Sequence, residues 1–166
     1  MDRQRLTILG STGSVGTSTL DVVARHRDRF EIAALTARDH VDVLFDQCVE
    51  FRPRMAVMLD PAAAQGLQQR LLNAGVKCDI RSGIQALEDV ASLPDVDTVM
   101  AAIVGIAGLR PTLEAARAGK KILLASNRWP EWPSHIRVTV GTFEEMTKFN
   151  AALAKVVQEG PLKATA

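Results

Sequence analysis

Three glycines, spaced three residues apart, follow an apolar segment near the amino terminus of the chain. The segment from Leu6 to Leu9 predicts a buried β-strand, and Gly10, Gly13 and Gly16 come directly after it. A turn with so little side-chain bulk lets backbone N–H groups approach a phosphate, and a helix that begins there directs its positive end towards the same anion. The segment therefore predicts a strand–turn–helix unit that binds the pyrophosphate of a dinucleotide. The alternative is a tight turn with no ligand.

Strand patterns alternate with helical patterns along most of the remaining chain. We predict helices over 14–26, 41–51, 62–73, 85–91 and 111–118, and further strands over 30–36, 55–59, 77–81, 98–103 and 120–125. Continuous apolar strands separated by helices are typical of a parallel sheet that is covered on both faces. We therefore expect a Rossmann-like α/β fold with a mostly parallel sheet. A strand over 135–140 and a helix over 142–157 are predicted to complete it.

Composition narrows the classes of protein that this chain can belong to. Of 166 residues, 47% are apolar and 23% are charged, and the net charge is +1, as expected for one compact domain that binds neither nucleic acid nor membrane. The start of the chain resembles no signal peptide and no segment has membrane-spanning character, so we expect a cytoplasmic protein. Cys48 and Cys78 are too few for a disulfide framework or a zinc site, and both are predicted to be core residues.

The end of the second predicted strand bears on which dinucleotide is bound. A carboxylate there would accept hydrogen bonds from an adenosine ribose diol, whereas a cation would pair with a 2′-phosphate. The sequence offers Ala37, Arg38 and Asp39, and Arg38 is nearer the strand end. Because a guanidinium can hold a phosphate through two hydrogen bonds, NADP is favoured over NAD. The alternative is that Arg38 and Asp39 are solvated loop charges.

Several ordered motifs over residues 5–127 carry a family resemblance. The glycine segment, the Ala-Arg-Asp corner, the segment AAIVGIAGL and the segment AARAGKKILLA resemble the NADPH-binding domain of 1-deoxy-D-xylulose 5-phosphate reductoisomerases. Enzymes of that family rearrange a phosphorylated ketose and reduce it with NADPH and a divalent metal, in isoprenoid precursor synthesis. The resemblance implies that the glycine segment holds the pyrophosphate, that Arg38 holds the 2′-phosphate and that the strand end from Ala101 to Gly105 lies on the nicotinamide side. The implied cofactor-binding residues are Gly10, Ser11, Thr12, Gly13, Ser14, Val15, Gly16, Ala37, Arg38, Asp39, Ala101, Ala102, Ile103 and Asn127.

The chain departs from this family after Asn127. Family members continue with lysine and glutamate and then with a second domain that carries the carboxylate metal site, whereas this sequence has Arg128 and Trp129. Residues 133–157 instead resemble the carboxy-terminal strand and helix of a histidinol-phosphate aminotransferase, in which an arginine at the position of Arg137 binds the substrate carboxylate. The pyridoxal phosphate lysine and large domain of that family are not found here. We therefore expect no metal site, no pyridoxal phosphate and no catalytic residue.

Two resemblances that meet at residues 127 and 128 indicate an engineered or recombined chimera. We expect residues 1–127 to form the dinucleotide-binding portion, residues 128–160 to complete the same domain and residues 161–166 to fray. The favoured function is a hybrid that keeps a weakened NADP(H) site without turnover. A structural or oligomerising domain without ligand is the first alternative, and an active NADP-dependent oxidoreductase is the second. A homodimer that exchanges the added segment is a further expectation.

Overall fold

A computed structural model describes residues 3–103 and 105–124 of the chain. Six strands and five helices alternate within these residues. In chain order they are β1 (Gln4–Leu9), α1 (Ser14–Arg25), β2 (Phe30–Ala37), α2 (Val41–Phe51), β3 (Met55–Met58), α3 (Pro61–Asn73), β4 (Asp79–Ser82), α4 (Gly83–Ala91), β5 (Thr98–Ala101), α5 (Leu109–Arg117) and β6 (Lys121–Leu124). A short 3-10 turn, Ile106–Gly108, precedes α5.

The strands form one parallel sheet with the order β4-β3-β2-β1-β5-β6. Every pairing between neighbours is parallel, so all six strands end at the same edge of the sheet. The order runs outward in one direction from β1 to β4 and then restarts on the other side of β1 with β5. In open α/β sheets a ligand binds outside the carboxyl ends of the strands at such a reversal, which here lies between β1 and β5.

Helices cover both faces of the sheet and divide its core in two. On one face, α1, α2 and α3 bury side chains such as Leu20, Leu44 and Leu67 against the strands. On the other face, α4 and α5 bury residues that include Val90 and Ala115. The predicted Rossmann-like architecture with helices on both faces is thereby confirmed. The predicted strand over 135–140, the predicted helix over 142–157 and the predicted domain boundaries at 127 and 160 lie outside the described residues.

Two apolar helix residues lie outside the core because a neighbouring helical position faces the sheet instead. Val22 is 53% exposed, since α1 buries the face that carries Leu20 and Val23. Val49 is 38% exposed, since it follows the fully buried Cys48 and lies about 100° further round α2. The prediction for Cys48 is confirmed, while Cys78 is half-buried and packs against the same core cluster.

The bounds of the described elements all agree with the predicted bounds to within two residues, and two of the differences have a local cause. Strand β5 ends at Ala101 rather than at residue 103, because the chain then crosses over the glycine turn. Helix α5 begins at Leu109, two residues before Pro111. Proline is tolerated at this position because the N–H groups of the first helical turn have no partner within the helix. None of the helices in the described part of the chain has both the length and the apolar character that crossing a bilayer demands.

Candidate dinucleotide-binding site

The glycine turn begins where β1 ends, at the reversal of strand order. Gly10 has a φ of +79°, a backbone conformation that side chains other than glycine's rarely adopt. A methyl group on Gly10 would also lie 3.0 Å from Cγ1 of Ile103 and 3.3 Å from the backbone of Ala102. The turn is therefore held closely against the segment that follows β5, where Ala102 N donates a 3.0 Å hydrogen bond to Leu9 O.

Helix α1 starts immediately after this turn with its first N–H groups accessible. Gly13 is the N-cap residue, and no side chain caps the helix. Gly13 and Ser14 are exposed, whereas Gly16 is buried beneath them. A methyl group on Gly16 would lie 2.4 Å from Gly10 O and 2.5 Å from Ser11 Cα, so only glycine lets α1 approach β1 this closely. The result is a helix N-terminus with uncapped N–H groups, which is a natural site for an anion.

A buried polar network fixes the glycine turn to its neighbours. Gly10 N donates a 2.8 Å hydrogen bond to Thr36 Oγ1, and Ser11 N donates one of 2.8 Å to Thr36 O. The Ser11 hydroxyl donates to Gln47 Oε1 at 2.7 Å, while Gln47 Nε2 donates back to Ser11 O at 2.9 Å. Ser11, Thr36 and Gln47 are all buried. Strand β2 and helix α2 therefore hold the backbone of the turn in one conformation.

The end of β2 carries the charged corner. Ala37 is buried at the last position of the strand, and Arg38 follows with 83% of its side chain exposed. Arg38 Nε lies 3.9 Å from a carboxylate oxygen of Asp39, and His40 Nε2 lies 3.6 Å from the other. The weak contact with Asp39 leaves the guanidinium largely in solvent, where a bound phosphate could displace water from it.

The end of β5 lies beside the glycine turn, on the side away from β2. Ala101 is buried, whereas Ala102 and Ile103 are half-buried beside the glycine turn. Gly108 then packs against Ile103 at the start of α5, because a methyl group there would stand 2.5 Å from Ile103 O. The segment after β5 is therefore held between the glycine turn and the start of α5.

The described structure brings three of the sequence-predicted groups to one edge of the sheet. These are the glycine turn (Gly10, Ser11, Thr12, Gly13, Ser14, Val15 and Gly16), the corner Ala37–Asp39, and the strand end with Ala101, Ala102 and Ile103. Asn127 lies outside the described residues. Over residues 3–103 and 105–124, no group of three His, Cys, Asp or Glu side chains is placed to hold a metal ion.

Sequence reasoning missed Gln47 and Gly108. Gln47 occupies the buried face of α2 beside Leu44 and Cys48, and a polar residue among apolar ones on a helix face is a signal that it has a buried partner. Its partner, Ser11, is 36 residues away, so the pairing itself was not visible in the pattern. Gly108 gave a weaker signal, as a glycine before a helix has several explanations.

Comparison of the sequence with known proteins shows the family to which the chain is similar. The sequence model of 1-deoxy-D-xylulose 5-phosphate reductoisomerase matches residues 6–128. The relative from Nitrosomonas europaea is 61% identical over 123 residues, which cover 74% of this chain and 30% of the relative. The relative from Dechloromonas aromatica is 57% identical over the same length and is covered to 31%. Both are 1-deoxy-D-xylulose 5-phosphate reductoisomerases.

Solved structures agree with the sequence comparison. A crystal structure of DOX-P reductoisomerase in complex with NADPH, fosmidomycin and magnesium has a TM-score of 0.71 and 48% identity, and the match covers 74% of this chain and 30% of that one. The enzyme from Zymomonas mobilis in complex with NADPH has a TM-score of 0.70 and 40% identity, with 75% and 32% covered. The chain spans about 30% of the length of the curated relatives that it matches. The chain belongs to the 1-deoxy-D-xylulose 5-phosphate reductoisomerase family.

Proposed function

We propose that this chain binds NADP(H) in the cleft at the carboxyl ends of β1, β2 and β5. The pyrophosphate lies on the glycine turn and the start of α1, the 2′-phosphate meets Arg38, and the nicotinamide lies towards Ala101, Ala102 and Ile103. Two related structures are complexes with NADPH, which is the cofactor that the charge at the end of β2 favours.

The observation that carries this proposal is Gly13. Its φ of −79° suits any residue, and a methyl group on it would meet its nearest neighbour, Gly10 O, at an ordinary 3.5 Å. Neither backbone conformation nor internal packing therefore demands glycine at this exposed position. A ligand that approaches the backbone closely does demand it, and the adjacent uncapped N–H groups favour an anionic one.

Arg38 supports the choice of NADP(H) over NAD(H). Its guanidinium is exposed, and its one ion-pair contact in the described structure, with Asp39, is long at 3.9 Å. A phosphate oxygen can form shorter, charge-assisted hydrogen bonds with the same group. Asp39 is the residue that would instead accept hydrogen bonds from a ribose diol. Arg38 therefore favours NADP(H), whereas Asp39 favours NAD(H).

We propose binding without turnover, on the basis of the sequence after Asn127. Arg128 and Trp129 stand where the family has lysine and glutamate, and residues 133–157 resemble an aminotransferase strand and helix. Three further expectations for residues 128–160 remain predictions. These residues are of chimeric origin, they complete the sheet, and their exchange between two copies makes the chain self-associate. The absence of turnover is tested by incubating the chain with NADPH, Mg²⁺ and 1-deoxy-D-xylulose 5-phosphate. The absorbance of NADPH is expected to stay constant. Light scattering on a size-exclusion column tests self-association.

A fluorescence titration tests the binding proposal. NADPH is expected to bind saturably and more tightly than NADH, and Arg38→Ala is expected to weaken NADPH binding about tenfold while leaving NADH binding nearly unchanged. Arg25→Ala is the matched control, since it removes the same charge at the far end of α1, roughly 16 Å from the glycine turn. Equal affinity for the two nucleotides in all three proteins would contradict the role of Arg38. Binding of neither nucleotide would favour the ligand-free structural alternative.

A further inference from the structure

His40 is a second basic side chain at the corner that follows β2. It is the N-cap residue of α2, and its carbonyl oxygen accepts a 3.1 Å hydrogen bond from Leu44 N. Its side chain caps no N–H group of the helix and is 66% exposed. The helix therefore fixes the backbone of His40, whereas the imidazole stands in solvent at the edge of the sheet where the cofactor is proposed to bind.

The imidazole of His40 and the guanidinium of Arg38 approach the two oxygens of one carboxylate. His40 Nε2 is 3.6 Å from one oxygen of Asp39, and Arg38 Nε is 3.9 Å from the other. Both distances are too long for hydrogen bonds, so Asp39 holds neither basic group tightly. The ionised carboxylate repels a phosphate that approaches Arg38, and an imidazolium beside the carboxylate offsets that repulsion.

Two further carboxylates near this corner already have partners. Asp60, the N-cap residue of α3, accepts a 2.8 Å hydrogen bond from a backbone N–H group of that helix. Asp42, in the first turn of α2, forms an ion pair with Arg70 of α3. In the described part of the chain, the Asp39 carboxylate makes only its two long contacts with basic groups. Protonation of His40 therefore acts mainly on Asp39 and on a bound phosphate.

We propose that His40 is a further specificity-determining residue and that protonation of its imidazole increases the preference for NADP(H) over NAD(H). An imidazole gains its positive charge as the pH falls from about 8 to about 5. The imidazolium offsets the charge of Asp39 and attracts the 2′-phosphate of NADP(H), whereas NAD(H) has an uncharged hydroxyl there. The phosphate itself begins to lose negative charge at about pH 6, so the effect is expected above that pH. This inference rests on the proposed function.

The experiment titrates the full chain with NADPH and with NADH at about pH 6.5 and about pH 8.5, at one ionic strength. The ratio of the NADH Kd to the NADPH Kd is expected to be about threefold larger at the lower pH. In His40→Gln this ratio is expected to be nearly the same at both pH values. His26→Gln is the matched control, because it removes an exposed imidazole at the far end of α1 and should keep the wild-type pH dependence.

Other outcomes overturn the proposal. A wild-type ratio that is the same at both pH values would exclude the role of His40 while leaving the proposed NADP(H) binding intact. A pH dependence that persists in His40→Gln would assign the effect to another group. Binding of neither nucleotide would exclude the proposed function and this inference together. If His40→Gln does not fold, NMR on the wild-type chain decides, because the titration of the His40 ring is expected to move to higher pH with NADPH but not with NADH, and an unmoved titration excludes the proposal.

Discussion

Gly16 and Gly13 lie three residues apart in the same turn, yet the structure places different demands on them. A methyl group on Gly16 would overlap Gly10 O at 2.4 Å, while one on Gly13 would make an ordinary contact of 3.5 Å. Gly16 therefore serves the contact between α1 and β1. Gly13 serves a surface that the chain itself does not fill. Stability and ligand affinity should separate at these two positions.

Gly16→Ala is expected to lower the free energy of unfolding by about 1–3 kcal/mol, since α1 has to move away from β1. Gly13→Ala is expected to change it by less than about 1 kcal/mol, because the N-cap conformation remains accessible to alanine. The same Gly13 variant should weaken NADPH binding at least about tenfold. Urea unfolding and NADPH titration measure the two quantities. Gly66→Ala, with no atom within 4 Å of its added methyl group, is the control and should not destabilise the chain.

Gln47→Met tests the polar network beneath the turn. Methionine fills a similar volume but leaves the Ser11 carbonyl without the Gln47 donor, and it leaves the Ser11 hydroxyl with only the longer 3.2 Å contact to Thr36 O. The substitution is therefore expected to cost about 1–3 kcal/mol of unfolding free energy. NADPH affinity should fall as well, because the turn is no longer fixed. Gln69→Met removes an exposed glutamine that bonds Asn73 on the surface of α3, and it should change neither quantity. Equal losses in the two variants would show that the buried network has no special role.

At the scale of elements, an ion-pair cluster joins segments at the amino ends of three strands. Arg54, just before β3, forms an ion pair with Asp95, which lies before β5. Arg5 of β1 approaches the other carboxylate oxygen of Asp95 at 3.3 Å. The hydrogen bond from Arg54, with the positive charges of both arginines, lowers the pKa of Asp95 below its ordinary value of 3.8.

This lowered pKa gives a pH dependence of definite sign. A carboxyl group whose pKa is lower in the folded state adds stability above its unfolded pKa, and that stability is lost as the pH falls from 3.8 through the folded value. Asp95→Asn is therefore expected to reduce the free energy of unfolding by up to about 1 kcal/mol at pH 7, with a smaller difference at about pH 3. Urea unfolding at the two pH values measures this. Asp28→Asn, at an exposed position between α1 and β2, is the control for the loss of one carboxylate charge.

Elements differ in how well the sequence predicted them, and the reason is the range of the interactions involved. The order of helices and strands follows from local patterns, because apolar strands and amphipathic helices have different periods. The end of β5 at Ala101 was not predictable, as it depends on the contact of Ala102 and Ile103 with Gly10. The same applies to Gln47, whose role is defined by Ser11 on a different element. The glycine turn was recognisable because its demands fall within seven consecutive residues.

In the molecule as a whole, the reversal of strand order between β1 and β5 locates the candidate site. The outer edge of β6 is where the rest of the chain is predicted to pack. Among the described residues, β6 pairs with β5 alone, and Leu123 is 41% exposed. The sequence predicts an alternating strand over 135–140 and an amphipathic helix after it, which together could cover such an edge.

Removal of residues 128–166 tests that prediction. We expect the shortened chain to have a lower thermal midpoint and to aggregate more readily, because the apolar edge of β6 becomes exposed. Its affinity for NADPH, once folded, should be close to that of the full chain, since the proposed site uses residues 10–16, 37–39 and 101–103. Differential scanning calorimetry and NADPH titration at low temperature measure these effects. An unchanged midpoint would show that the removed segment does not stabilise the sheet.

The proposed cofactor site as a whole is tested most directly by mapping backbone amide NMR shifts of the labelled chain during an NADPH titration. Saturable shifts are expected to be concentrated at residues 10–16, 37–39 and 101–103, with weaker shifts at 37–39 when NADH replaces NADPH. Shifts centred on residues outside these three segments, or no shifts at saturating nucleotide, would contradict the proposed site.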